Sequence, residues 1–153
     1  MIRNRSRRRL LAALGGVLML AGAGTTGTAL AAHFRTVLTG ANVPGGDPDG
    51  WGRFRFRIDD TLNTLCGDLE VREIGQVTSA QVYRGGPGEA GAPVVDIDLP
   101  GSDNDSDDCD TIGDTLADEI QANPAGFFVL IKTAEFPNGA LRGQIGPSDG
   151  SGD

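Results

Sequence analysis

From residue 34 onward, apolar and polar residues alternate with a period of two, which predicts strands and not helices. The alternation is clearest in WGRFRFRID (51–59), where Phe54, Phe56 and Ile58 fall on one face and Arg53, Arg55 and Arg57 on the other. Successive side chains of a strand point to opposite faces, so this segment reads as a half-buried strand. A second strand follows, in which Leu65, Gly67, Leu69 and Val71 alternate with Cys66, Asp68, Glu70 and Arg72. Between them Asp59-Asp60-Thr61-Leu62-Asn63 has the chemistry and length of a hairpin loop. Further strands are expected over 34–39, 77–83, 93–99, 127–133 and 140–145, with the Gly- and Pro-rich stretches GANVPGGDPDG and RGGPGEAGAP as loops. The run Phe127-Phe128-Val129-Leu130-Ile131 is apolar at every position, which predicts a central strand. It is expected to pair with 140–145 through the turn Pro137-Asn138-Gly139.

One segment has helical spacing instead. Leu116 and Ile120 lie four apart with Ala117 beside them, Asp114 is placed to cap the start, and Pro124 blocks continuation. The predicted fold class is all-β and mainly antiparallel: a Greek-key sandwich or barrel of about seven strands with one short helix near 114–123.

The first 31 residues belong to a different category. Five arginines (Arg3, Arg5, Arg7, Arg8 and Arg9) and no acid precede the apolar run 10–24, and Ala29 and Ala31 form an A-x-A site. That layout is a secretory signal peptide with cleavage expected after Ala31. The run is shorter than the roughly 20 residues of a membrane-spanning helix, so retention as an anchor is the secondary reading. Ser6-Arg7-Arg8-Arg9-Leu10-Leu11 resembles a twin-arginine export motif, and an ordinary leader with a rich basic end fits equally well. The expected organisation is a signal peptide over 1–31, one β domain over 32–146 and a flexible tail over 147–153.

Export changes the charge. Loss of the leader takes Lys and Arg from 13 to 8 against 21 Asp and Glu, moving the net charge from −8 to about −13. A field of that sign disfavours nucleic acid and anionic membranes as partners. In an oxidising compartment the two cysteines, Cys66 and Cys109, are expected to form a disulfide.

Candidate chemistry is sparse. The stretch 103–114 places Asp103, Asp105, Asp107 and Asp114 at positions 1, 3, 5 and 12 of a calcium-loop count, although Asp108 stands where such loops need Gly and no helix precedes it. A solvated acidic loop is the alternative. The row Arg53, Arg55 and Arg57 suits an anionic partner such as an acidic cell-wall polymer, or cross-strand pairing with Asp68 and Glu70. The single histidine, His33, lies at the expected mature N-terminus, so no nucleophile–histidine arrangement is supported and no enzymatic activity or cofactor is expected.

Four segments taken in order, FRTVLTGANVP, GWGRFRFRID, TSAQVYRGGPGEAGAPVVDIDL and NPAGFFVLIKTAEFPNGALRGQI, resemble the CHRD (chordin-type) domain family across nearly the whole mature chain. The most specific piece is FPNGALRGQ (136–144), which resembles the family's closing turn and strand. Both cysteine positions fit the resemblance as well. The chain departs from the family at its histidines: a His-x-His pair is replaced by Gln81-Val82-Tyr83, a later His by Lys132, and an Asn by Leu130. His-x-His in a strand turns two imidazoles to one face, as a metal requires, and Gln, Tyr and Lys do not replace that ligand set. The resemblance also brings Tyr83, Arg84, Lys132 and Arg142 into view as a metal-free polar cluster, provided the strand of Lys132 lies beside that of Gln81. The histidine pattern is similar to that of copper/zinc superoxide dismutases at the level of fold only, which implies at most a degenerate metal site without activity here. The implied role is a secreted or cell-surface, non-enzymatic binding or structural module. A protein, glycan or envelope component is its expected partner, and a calcium-stabilised module is the alternative.

Overall fold

The computed structural model describes residues 32–148; the predicted signal peptide and its cleavage site, together with residues 149–153 of the predicted tail, lie outside the described residues. The elements in order are β1 (Ala32–Thr39), β2 (Trp51–Asp59), β3 (Thr64–Arg72), β4 (Val77–Arg84), β5 (Pro93–Asp96), β6 (Asp105–Thr111), α1 (Asp114–Ala122), β7 (Phe127–Thr133), β8 (Leu141–Gln144) and β9 (Gly146–Pro147). The strands form one antiparallel sheet in the order β5-β4-β7-β8-β1-β2-β3-β6, with the short β9 added alongside β1. This sheet of eight strands curls into a nearly closed, barrel-like form.

The alternating pattern fixes which face turns inward. Phe54, Phe56 and Ile58 of β2 are buried, and so are Phe34 and Leu38 of β1 and Leu65, Leu69 and Val71 of β3. Phe34 and Phe54 both stack on Phe56, with ring centroids 5.0 and 5.2 Å away. Val82 of β4, Val129 and Ile131 of β7 and Leu141 of β8 complete this lining, and Ala117 and Ile120 of α1 join the same core. Burying an aliphatic or aromatic side chain of this kind contributes about 1.5–3 kcal/mol, so the inward half of each strand is what drives closure.

Three expectations are corrected. The acidic stretch is not a loop, because Asp105–Thr111 forms β6 and pairs with all but the last two residues of β3. Asp114 does not cap the helix: Gly113, at φ 77°, takes the cap position with no side-chain hydrogen bond, and Asp114 is the first helical residue. Gly tolerates that conformation without a steric penalty, which is why the chain can turn there. The strands among the described residues number nine instead of about seven, since β6 and β9 escaped the pattern. β9 also ties down the start of the expected tail, where the Ser148 amide donates to the His33 carbonyl at 3.0 Å.

Candidate functional site

Apart from Arg84, the residues singled out by the resemblance of motifs share the outer face of β4, β7 and β8. In the β4–β7 ladder Ser79 lies opposite Lys132, Gln81 opposite Leu130 and Tyr83 opposite Phe128. Leu130 lies opposite Arg142 across β7 and β8, so Arg142 joins the same face. The Tyr83 hydroxyl donates to Gln81 Oε1 at 2.8 Å, and Gln81 Nε2 donates to Asp96 Oδ1 at 2.7 Å. Lys132 Nζ lies 5.9 Å from the centroid of the Tyr83 ring, and Tyr83 stacks on Phe128 at 5.2 Å. Arg84 does not belong to this group. It alternates to the other side of β4, forms an ion pair with Glu119 of α1 and lies over Phe127.

This outer cluster is covered. The guanidinium of Arg142 sits 3.5 Å from the centroid of the Phe128 ring and donates to the carbonyls of Gly86 and Glu89 at 3.0 and 2.8 Å. Gln144 Nε2 donates to the carbonyls of Gly85, Ala125 and Phe127. The loop after β4 is thereby strapped over the Tyr83–Phe128 stack, leaving both rings buried. Burial pushes Arg142 below its ordinary range, while Glu89 opposes the shift. Between these two residues Gly143 faces the core, where a β-carbon would come within 2.2 Å of both Thr36 Oγ1 and the Val37 carbonyl oxygen. The Arg-Gly-Gln of the closing strand therefore works as a clamp, a space-limited contact and a second clamp.

On the opposite wall, β1, β2, β3 and β6 present a face whose register forms rows across the strands. Thr39, Trp51 and Arg72 make one row; Val37, Arg53, Glu70 and Asp105 the next; then Arg35, Arg55, Asp68 and Asp107; then His33, Arg57, Cys66 and Cys109. Cys66 and Cys109 are joined by a disulfide, the bridge expected from the sequence. Arg53 pairs with Glu70, and Arg55 donates to Asp68 at 2.9 and 3.1 Å, so two of the three arginines in the row take cross-strand partners. Asp68 raises the Arg55 pKa further through that hydrogen bond and its charge. Arg72 bridges Glu70 at 2.8 Å and Asp105 at 3.4 Å.

β6 disperses the residues of the calcium-loop count. Asp105 and Asp107 belong to the outer rows, Asp103 sits in the turn before the strand, and Asp114 begins α1. Among the described residues, no group of three or more His, Cys, Asp or Glu is arranged to hold a metal ion. The alternate residues Asp108 and Asp110 lie opposite Gly67 and Leu65, on the other face of β6, and are half-buried. Burial raises the Asp110 pKa first, followed by the charge and hydrogen bond of Asp108 and the charges of Asp98 and Asp96.

Sequence reasoning passed over Trp51, which stands on the arginine face with 43% of its surface exposed, beside Val37 at 66%. The signal was present: residue 51 has the same parity as Arg53, Arg55 and Arg57. Phe128 and Gln144 were also missed as partners, since nothing local marks the loop that covers them. No helix among the described residues is long and apolar enough to cross a membrane.

Comparison with curated proteins and with solved structures returns no match. A family model for the CHRD domain matches residues 34–145, and the chain belongs to the CHRD domain family.

Proposed function

We propose that this protein is an exported, non-enzymatic module that works at the cell surface or outside the cell by binding an envelope or matrix component. The observation that carries the reading is the state of the outer cluster: Gln81, Tyr83 and Arg142 spend their hydrogen bonds on Asp96, on each other and on the strap. Groups committed in this way hold a scaffold and are not poised for proton or group transfer. The remaining distinctive surface is the broad outer face of β1, β2, β3 and β6, a geometry suited to contact with an extended partner. The basic and apolar leader, the disulfide and the family membership support export.

The test is recovery of the protein from its native host, followed by intact-mass analysis and cell fractionation. The expected product begins at Ala32, lacks two hydrogens relative to the reduced chain, and co-sediments with envelope material. A full-length protein retained in the cytoplasm would overturn the reading.

A further inference from the structure

The two-strand stripe formed by the outer faces of β1 and β2 has a composition unlike the rest of this acidic chain. It carries Thr39 and Trp51, Val37 and Arg53, Arg35 and Arg55, then His33 and Arg57, and no carboxylate stands in these four rows; Asp59, which ends β2 on the same face, accepts from the Thr61 and Leu62 amides of the following turn. At about 3.3 Å per residue the distance from Trp51 to Arg57 is about 20 Å, with same-face side chains about 6.6 Å apart. Asp68 and Glu70 border the stripe on one side and hold Arg55 and Arg53 in fixed orientations, each with about half its side chain still exposed. Arg57 forms no ion pair or hydrogen bond among the described residues and lies across from His33 on one strand and the disulfide on the other. Trp51 is the only tryptophan, and no cation covers its ring among the described residues.

We propose that this stripe binds an acidic polysaccharide of the uronic-acid type, lying along the strands with one sugar ring on Trp51 and Val37 and its carboxylates on the arginines. This rests on the module reading above and names the class of its ligand. Each part of the stripe matches one part of such a polymer. An exposed indole beside an aliphatic side chain offers an apolar platform to the C–H face of a sugar ring, at little cost in side-chain freedom. Planar guanidinium groups recognise carboxylates through paired hydrogen bonds, and arginines already oriented by Asp68 and Glu70 lose less freedom on binding. The acids of β3 and β6 repel a polyanion, which confines it to β1 and β2. The convex wall of a barrel also suits a narrow linear ligand better than a broad flat partner.

The test uses the full chain and polygalacturonate, with its fully methyl-esterified form and polyphosphate as comparisons. The leader's arginines are common to every variant, and Trp51 emission reports from the stripe alone. Polygalacturonate is expected to shift Trp51 emission saturably, and the effect should weaken as salt is raised. Calorimetry should show Trp51→Ala and Arg57→Gln each binding about tenfold more weakly, a loss of the size expected for one well-placed contact. If Trp51→Ala fails to fold, Trp51→Phe keeps a ring and should bind within about threefold of the parent, leaving Arg57→Gln to carry the loss. The esterified polymer should not bind. Unchanged emission, equal binding by the variants, or polyphosphate bound as tightly as polygalacturonate would each overturn the proposal. If envelope material retains the parent and both variants alike, the stripe is not the contact and the module reading stands.

Discussion

At position 143 a methyl group in place of hydrogen would meet a backbone oxygen and a threonine hydroxyl at 2.2 Å. Neither can move without disturbing β1, so Gly143→Ala is expected to destabilise the domain by about 1–3 kcal/mol, read from the midpoint and slope of urea unfolding. Asp110 makes the opposite case, since its carboxyl is held in a place that favours the neutral form. Its folded-state pKa is raised by burial and by Asp108, Asp98 and Asp96, so the ionised form costs stability above that pKa and the cost vanishes below the unfolded value. Asp110→Asn should therefore melt at a higher temperature than the parent at pH 7, and the difference should shrink as pH falls through the raised pKa. A constant difference across that range would reject the assignment. Residue-level chemistry was legible where parity alone decides it, as for Phe54, Phe56 and Ile58, and it was illegible for Gly143. The motif gave its position, but its crowding depends on Thr36, more than a hundred residues earlier.

At the scale of elements, β2 was readable because one of its faces is apolar and the other charged. β6 was not, because both of its faces are polar: Asp105, Asp107 and Cys109 point one way and Ser106, Asp108 and Asp110 the other. Its extended form comes from the ladder with β3 and the bridge at Cys66, so tertiary pairing overrides a composition that reads locally as a loop. Reduction of that bridge should accordingly loosen β6 more than any other strand. With the cysteines 43 positions apart, the loop-closure model gives about 4 kcal/mol of stabilisation. Guanidinium unfolding with and without reductant measures it, and hydrogen exchange should show the β6 amides losing protection first. The helix was placed correctly by its Leu116–Ile120 spacing, while its cap was not, because a glycine can begin a helix by conformation alone.

For the whole molecule, the pattern announced an antiparallel sandwich or barrel, but the order of strands depends on pairings between distant segments, such as β8 with β1 and β4 with β7. The motif brought Tyr83, Arg84, Lys132 and Arg142 into view together, and the ladders of β4, β7 and β8 place all but Arg84 on one face; the strap over them was not legible, since it needs Arg142 and Gln144 to reach across to residues 85–89. Calcium offers a test of how the dispersed aspartates behave together. With Asp103, Asp105, Asp107 and Asp114 spread over a turn, a strand and a helix start, millimolar calcium is expected to leave the melting temperature of the folded chain unchanged. A saturable rise would restore the calcium reading.

The sheet ends at β6, and an open strand at the end of a sheet is an invitation for another chain to add itself through free backbone groups. Here that border carries Asp105, Asp107, Asp108 and Asp110 within seven residues. Two copies approaching border to border would bring their aspartates together, so the same residues that hide the strand from sequence reading also oppose its pairing with a second copy.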